Sequence, residues 1–134
     1  MAIKNYVMDS WAMMAFFENE ASAESVEKII LESFRGSAKL IMSVINAGEL
    51  WYSIARAYSE SRADAVLDEL DALDIEIVDA DREITRHAAK YKASGSIAYA
   101  DCFAAACAKL KKAVLVTGDR EFKKLDRKIK IRWI

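Results

Sequence analysis

Residues 113–119, Ala113-Val114-Leu115-Val116-Thr117-Gly118-Asp119, form a short apolar run that stops abruptly at a hydroxyl, a glycine and an aspartate. The run lacks polar alternation and is rich in β-branched residues, so it suits a strand covered on both faces, as in a parallel sheet. Toward the N-terminus, Ile3–Met8 is a second such run, and it stops at Asp9-Ser10. Leu40-Ile41-Met42, Ile75-Glu76-Ile77-Val78 and Ile129–Ile134 are weaker strand candidates.

Helical patterns separate these runs. Ser22–Phe34 carries Val26, Ile29, Ile30 and Phe34 at helical spacing, and Ile45–Tyr58, Arg62–Leu73, Asp81–Ala93 and Ile97–Leu110 follow. Ser43 and Ser96 stand where N-caps are expected, and Gly36, Gly95 and Gly118 mark breaks between elements. Strands alternating with helices over 134 residues predict one domain, residues 1–134, with a three-layer α/β/α sandwich and a mainly parallel sheet. Ligands in such sheets bind beyond the carboxyl ends of the strands, at the topological switch point. Chemistry is therefore expected at the residues just after each strand.

Composition narrows the chemistry further. With 54% hydrophobic and 31% charged residues, the chain is an ordinary globular protein. No stretch approaches the roughly 20 apolar residues of a membrane helix, and the N-terminus lacks a signal-peptide core, so a cytoplasmic location is expected. Cys102 and Cys107 lie five apart in one helical stretch, on different faces, and the sole histidine is His87. A disulfide or a Cys/His zinc site is thus disfavoured, and any metal would need oxygen ligands. Residues 109–134 hold ten Lys and Arg against Asp119, Glu121 and Asp126, a local sum of +7, which leaves −8 on the preceding 108 residues. Such a basic end can attract a phosphate backbone or simply be solvated.

Asp9 and Asp119 follow the two best strands, a position where turn and cap aspartates are also common. Asp101 is more telling. Its helical neighbours are Ile97, Ala104, Ala105 and Ala108, so it is set in an apolar stripe expected to face the sheet. A buried carboxylate there calls for a cation, a metal or several N–H donors. Glu49 lies in the first turns of the helix after the second strand, where a glutamate is often only a dipole partner. Its interest comes from the set, because both helices start at carboxyl ends of strands and all four acids can gather at one edge of the sheet. Clustered carboxylates raise one another's pKa and invite a hard cation, Mg²⁺ or Mn²⁺. Such an ion supports phosphodiester hydrolysis by neutralising charge, activating water and stabilising the leaving oxygen. Ser10 and Thr117 flank the outer pair, where their hydroxyls can orient carboxylates, bind phosphate or make local turn bonds.

The segments Tyr6-Val7-Met8-Asp9-Ser10, Asn46-Ala47-Gly48-Glu49-Leu50, Ser96–Ala106 around Asp101, and Leu115–Phe122 around Thr117-Gly118-Asp119 occur together in one order. In them the chain resembles the PIN-domain family and, within it, the prokaryotic VapC-type toxins. The resemblance covers essentially the whole chain. It implies a five-stranded parallel sheet of order 3-2-1-4-5 and a Mg²⁺- or Mn²⁺-dependent endoribonuclease that leaves 5′-phosphate and 3′-hydroxyl ends. It also implies an RNA substrate, a homodimer and a cognate antitoxin protein. By carry-over, Asp9, Glu49 and Asp101 match the core metal-binding and catalytic acids, Asp119 the more variable fourth position, and Ser10 and Thr117 the supporting hydroxyls. Glu121 falls where some members carry a further acid.

Arg120, next to Asp119, is the best substrate contact, and Lys123, Lys124, Arg127, Lys128, Lys130 and Arg132 are candidate phosphate contacts. The apolar segments Trp11-Met14-Phe16-Phe17 and Trp51-Tyr52-Tyr58 exceed what short helices easily bury, so part of them is expected at an antitoxin groove or dimer contact. His87 lies in a charged helix, away from the acids, as a surface histidine. The ten carboxylates between Glu60 and Glu83 are read as solvated helix faces. Two alternatives remain: a catalytically silent PIN-like module that binds RNA or protein, and an RNA-processing nuclease that is not a toxin. A phosphatase or receiver-type domain would need a lysine near its aspartates, and Lys111 and Lys112 precede their strand.

Overall fold

A computed structural model describes residues 2–134. Its strands are β1 (Lys4–Met8), β2 (Ala38–Ser43), β3 (Ile75–Val78), β4 (Val114–Thr117) and β5 (Ile131–Trp133). They form one sheet of order β3-β2-β1-β4-β5, with every neighbouring pair parallel. Both the class and the strand order expected from the sequence are therefore observed.

Alternation along the strands divides the core in two. Tyr6, Met8, Leu40, Met42 and Val116 project to one face, against α1 (Ser10–Phe17), α2 (Ala23–Phe34), α3 (Val44–Ala57) and α4 (Glu60–Ala72). Val7, Ile41 and Leu115 project to the other, against α5 (Arg82–Ala93) and α6 (Tyr99–Leu110). Every residue from Cys102 to Ala108 is buried. The run of alanines lets α6 lie close to the sheet while it also packs on α5 and α3. Cys102 and Cys107 are free thiols in that core, as their spacing required.

Caps explain most of the helix starts. Ser43, Ser59 and Asp81 accept N–H bonds from the first turns of α3, α4 and α5. Ser96 does not fill that role. The residue before α6 is Ala98, which makes no side-chain cap, and the Ser96 oxygens instead accept from Lys124 Nζ. The helix therefore begins two residues later than its periodicity suggested, and Asp101 becomes its third residue. The Ile129–Ile134 candidate shortens to Ile131–Trp133, because the Lys128 and Ile129 N–H groups close a turn on the Leu125 carbonyl, just after a 3₁₀ helix (Arg120–Leu125) that buries Phe122 and Leu125.

Among the described residues no helix is long and apolar enough to cross a membrane. Met14, Phe16, Phe17 and Trp51 pack against the first core, whereas Trp11, Tyr52 and Tyr58 remain exposed. The aromatics of the two segments thus divide evenly, three partly buried against the core and three at the surface.

Candidate metal centre

Strand order runs outward from β1 through β2 to β3 on one side, and from β4 to β5 on the other, so the switch point lies between β1 and β4. Met8 stands opposite Val116, which puts Asp9 and Thr117 at one level at the carboxyl end of the sheet. The two best strands of the sequence thus deliver their terminal polar residues to the crevice that the topology favours.

Asp9 is the N-cap of α1, its Oδ1 accepting the Ala12 N–H at 2.8 Å. It is only 2% exposed. Burial pushes its carboxyl up to about 7; the charges of Asp101 and Asp119 add to the rise, while the Thr117 hydroxyl and the Ala12 N–H oppose it. Asp101, in the first turn of α6, is half-buried and is also pushed up to about 7, by burial first and then by Asp119, Glu49 and Glu121. The sequence set Asp101 in an apolar helix stripe expected to face the sheet. The late start of α6 instead leaves it at a cleft mouth, and Asp9 is the carboxylate sealed behind.

Glu49 is fixed by two donors. Its Oε1 accepts from Ser10 Oγ and from Asn46 Nδ2, each at 2.9 Å. Asn46 is fully buried, and its Nδ2 also donates to the Ala100 carbonyl at 3.2 Å, tying α3 to the first turn of α6. Both partners of Nδ2 are acceptors, so the orientation of the amide is determined. Asn46 escaped the sequence reading as a site residue; its place one helical turn before Glu49 was the signal that could have found it. Asp119 caps the 3₁₀ helix by accepting the Glu121 N–H at 3.0 Å, and its own N–H donates to Thr117 Oγ1 at 3.0 Å. Ser10 donates to Glu49 rather than to the outer pair that it flanks, and the Thr117 hydroxyl lies against Asp9 while it accepts the Asp119 N–H in a local turn bond.

Glu49, Asp101 and Asp119 line an open cleft of about 350 Å³, together with Ser10 and Trp11. Glu121 stands to the side, paired with Lys124 at 2.9 Å. Among the described residues no three Asp, Glu, His or Cys side chains converge closely enough to enclose an ion as they stand. The donors nevertheless suit a hard divalent cation: all are oxygens, burial and then the neighbouring carboxylates push two of them up to about 7, and the cleft leaves room for waters and phosphate oxygens.

The bases are distributed less simply. Arg120 is exposed and holds its guanidinium 5.6 Å from the centre of the Trp133 ring, outside the cleft lining. Lys124 is engaged by Glu121 and Ser96, and Arg132 by Tyr6 Oη and Glu32. Arg127 and Lys128 line a separate groove with Lys90 and Lys109. His87 stacks edge-on against Tyr91 beside that groove; burial and the nearby Lys90, Lys109 and Arg86 hold its pKa low. The carboxylates of residues 60–83 are mostly exposed, Asp64 bonding Trp51 Nε1 and Asp81 capping α5.

A pH dependence follows for the metal-free protein. Asp9 titrates near 7 when folded against 3.8 for an ordinary aspartate, so between those values the unfolded chain loses a proton that the folded chain keeps. Its contribution is therefore favourable below the lower value and is lost as pH rises to about 7. In EDTA, the stability gap between Asp9→Asn and the wild type should widen in favour of the variant by roughly 2–3 kcal/mol from pH 5 to pH 7. Urea unfolding at the two pH values measures it; a gap that does not change would mean that Asp9 is ionised throughout.

The chain matches the family model described as PIN domain over residues 6–128. No curated protein matches it in sequence. Solved structures share the fold at low identity. A DNA-bound VapBC of Salmonella typhimurium superposes with a TM-score of 0.74, at 20% identity over 98% of both chains. VapBC2 of Rickettsia felis, bound to a DNA fragment from its promoter, gives 0.72 at 18% identity, over 96% of this chain and 97% of that one. VapC20 of Mycobacterium tuberculosis, described as a Sarcin-Ricin loop cleaving toxin, gives 0.70 at 11% identity, over 94% and 96%.

Proposed function

The chain belongs to the PIN domain family, and from that premise we propose that it is a Mg²⁺- or Mn²⁺-dependent endoribonuclease, the toxin of a toxin–antitoxin pair. The observation that carries the reading is the pair of carboxylates, Asp9 and Asp101, pushed up to about 7 at the switch point beside Glu49 and Asp119. Groups so perturbed at a switch point are candidates for chemistry, and a set of oxygen donors of this kind suits a hard divalent cation. The toxin role is supported by the likeness of the fold to VapC20 and to the VapBC complexes.

Asp9, Glu49, Asp101 and Asp119 would hold one or two ions, directly or through water. A bound divalent cation neutralises phosphodiester charge and lowers the pKa of water, which is what RNA hydrolysis requires. The chain's own residues do the rest. Ser10 and Asn46 aim Glu49, and Thr117 steadies both Asp9 and the start of the 3₁₀ helix. Burial of Asp9 keeps bulk water from its carboxylate. Because two carboxylates are partly protonated near pH 7, cation uptake releases protons and affinity rises with pH.

We assign the protein-binding role to the exposed aromatics of the α3–α4 side. Arg56 sits 4.9 Å from the Tyr52 ring centre, and Arg62 sits 3.8 Å from that of Tyr58. Such Arg–aromatic pairs suit an antitoxin or the second copy of a homodimer. The chain would form one domain and work in the cytoplasm.

Purified protein stripped with EDTA should leave a generic single-stranded RNA intact and cleave it after Mn²⁺ is added, giving 5′-phosphate ends. Cleavage together with growth arrest on expression supports the toxin. Cleavage without arrest indicates RNA processing, and no cleavage with any divalent ion indicates a silent binding module.

A further inference from the structure

Trp11 is the residue of the cleft that the proposed hydrolysis leaves unused. It is the second residue of α1, 36% exposed, and it lines the cleft beside Glu49, Asp101 and Asp119. Its position is set by an unusually close approach. A Cβ built on Gly118 would lie 2.2–2.7 Å from three carbons of the Trp11 six-membered ring, so the ring rests on the bare Cα of that glycine. Gly118 makes no positive-φ turn, since Gly36 is the one glycine in that region. What glycine supplies between Thr117 and Asp119 is therefore space for the indole.

The charge of the cleft explains why an aromatic would be needed there. Its lining contains Glu20, Glu49, Asp101 and Asp119 and no lysine or arginine. A polyanion approaching this wall meets repulsion that a bound cation only partly relieves, and the wall offers no cationic clamp for the sugar–phosphate chain. Stacking of a neutral nucleobase on an indole escapes that repulsion, and it is tolerant of base identity.

We propose that Trp11, seated on Gly118, is the stacking platform that holds an unpaired nucleobase of the RNA beside the carboxylates. Trp11 is thus a positioning residue for a single-stranded substrate, and the proposal rests on the reading of the cleft as a ribonuclease site. A duplex, whose bases are already stacked, would be excluded.

Two measurements test it. In a Trp51→Phe/Trp133→Phe background Trp11 is the sole tryptophan, and a short oligothymidylate DNA strand added with Mg²⁺ should quench its emission, whereas an abasic strand of equal length should not. With Mn²⁺, Trp11→Ala should raise KM for single-stranded RNA by roughly five- to a hundredfold. Its kcat at saturating RNA should fall by less than its KM rises, and Trp11→Phe should recover most of the RNA affinity. Equal quenching by the abasic strand, or a Trp11→Ala loss carried by kcat with KM unchanged, would overturn the platform. If Trp11 emission instead responds to a protein partner and to neither strand, the platform also falls. Wild-type protein that shows base-dependent quenching but does not cleave RNA would retain the platform and refute the catalytic reading alone.

Discussion

Asp9→Asn is expected to abolish RNA cleavage, by a hundredfold or more, while leaving the fold intact and the metal-free protein more stable near pH 7. The carboxylate is sealed at the switch point, where charge counts most because water is excluded. Removing one ligand charge from a hydrolytic metal site forfeits several kcal/mol of transition-state stabilisation, and each 1.36 kcal/mol is tenfold in rate. The structural role survives the change. An asparagine oxygen can accept the Ala12 N–H as Asp9 Oδ1 does, and asparagine is as good an N-cap as aspartate. Single-turnover cleavage measured beside urea unfolding separates the two effects. A variant that loses activity in proportion to lost stability would show that Asp9 only caps a helix.

Asn46→Ala is expected to lower activity about ten- to a hundredfold at limiting Mn²⁺, with much of the loss recovered at high Mn²⁺. Asn46 touches no substrate in this account. It supplies one of the two hydrogen bonds on Glu49 Oε1 and holds the Ala100 carbonyl in the turn that carries Asp101. Partners that orient metal ligands typically cost ten- to a hundredfold in affinity or activity when removed. The substitution also removes a hydrogen bond to the part-buried Ala100 carbonyl, which costs about 1 kcal/mol. A shift of the Mn²⁺ dependence distinguishes positioning from simple destabilisation. If the activity lost is independent of Mn²⁺ concentration and follows the unfolded fraction, the positioning role is wrong.

The strands were legible because a sheet buried on both faces writes itself as uninterrupted apolar runs. Met8 and Val116 end such runs, and the polar residues after them fall at the switch point by topology alone. Burial of individual acids was harder to read. The alanine stripe of α6 pointed to a buried Asp101, but periodicity does not say where the first turn begins. A helix that starts at Tyr99 instead of Ile97 lifts that carboxylate to the cleft mouth. Asp9 looked like an ordinary turn residue, although tertiary contacts seal it more completely.

Contacts between distant segments lay beyond the sequence. Asn46 bonds a carbonyl 54 residues away, Ser10 meets Glu49 across 39, and Ser96 is taken by Lys124 rather than serving as a cap. The 3₁₀ helix Arg120–Leu125 has no long periodic signature, yet it brings Glu121 near the acids and turns Arg120 toward Trp133. The packing of Trp11 on Gly118 joins two residues that the sequence separates into a helix and a turn.

The central claim is that the carboxylates at the switch point hold a divalent cation. Calorimetric titration of Mn²⁺ into EDTA-stripped protein near pH 7, repeated in two buffers of different ionisation enthalpy, tests it without any RNA. The account predicts saturable binding with proton release, weakened at least tenfold in Asp101→Asn and lost in Asp9→Asn/Asp101→Asn. Equal affinity in the wild type and the double variant, with no protons released, would contradict it.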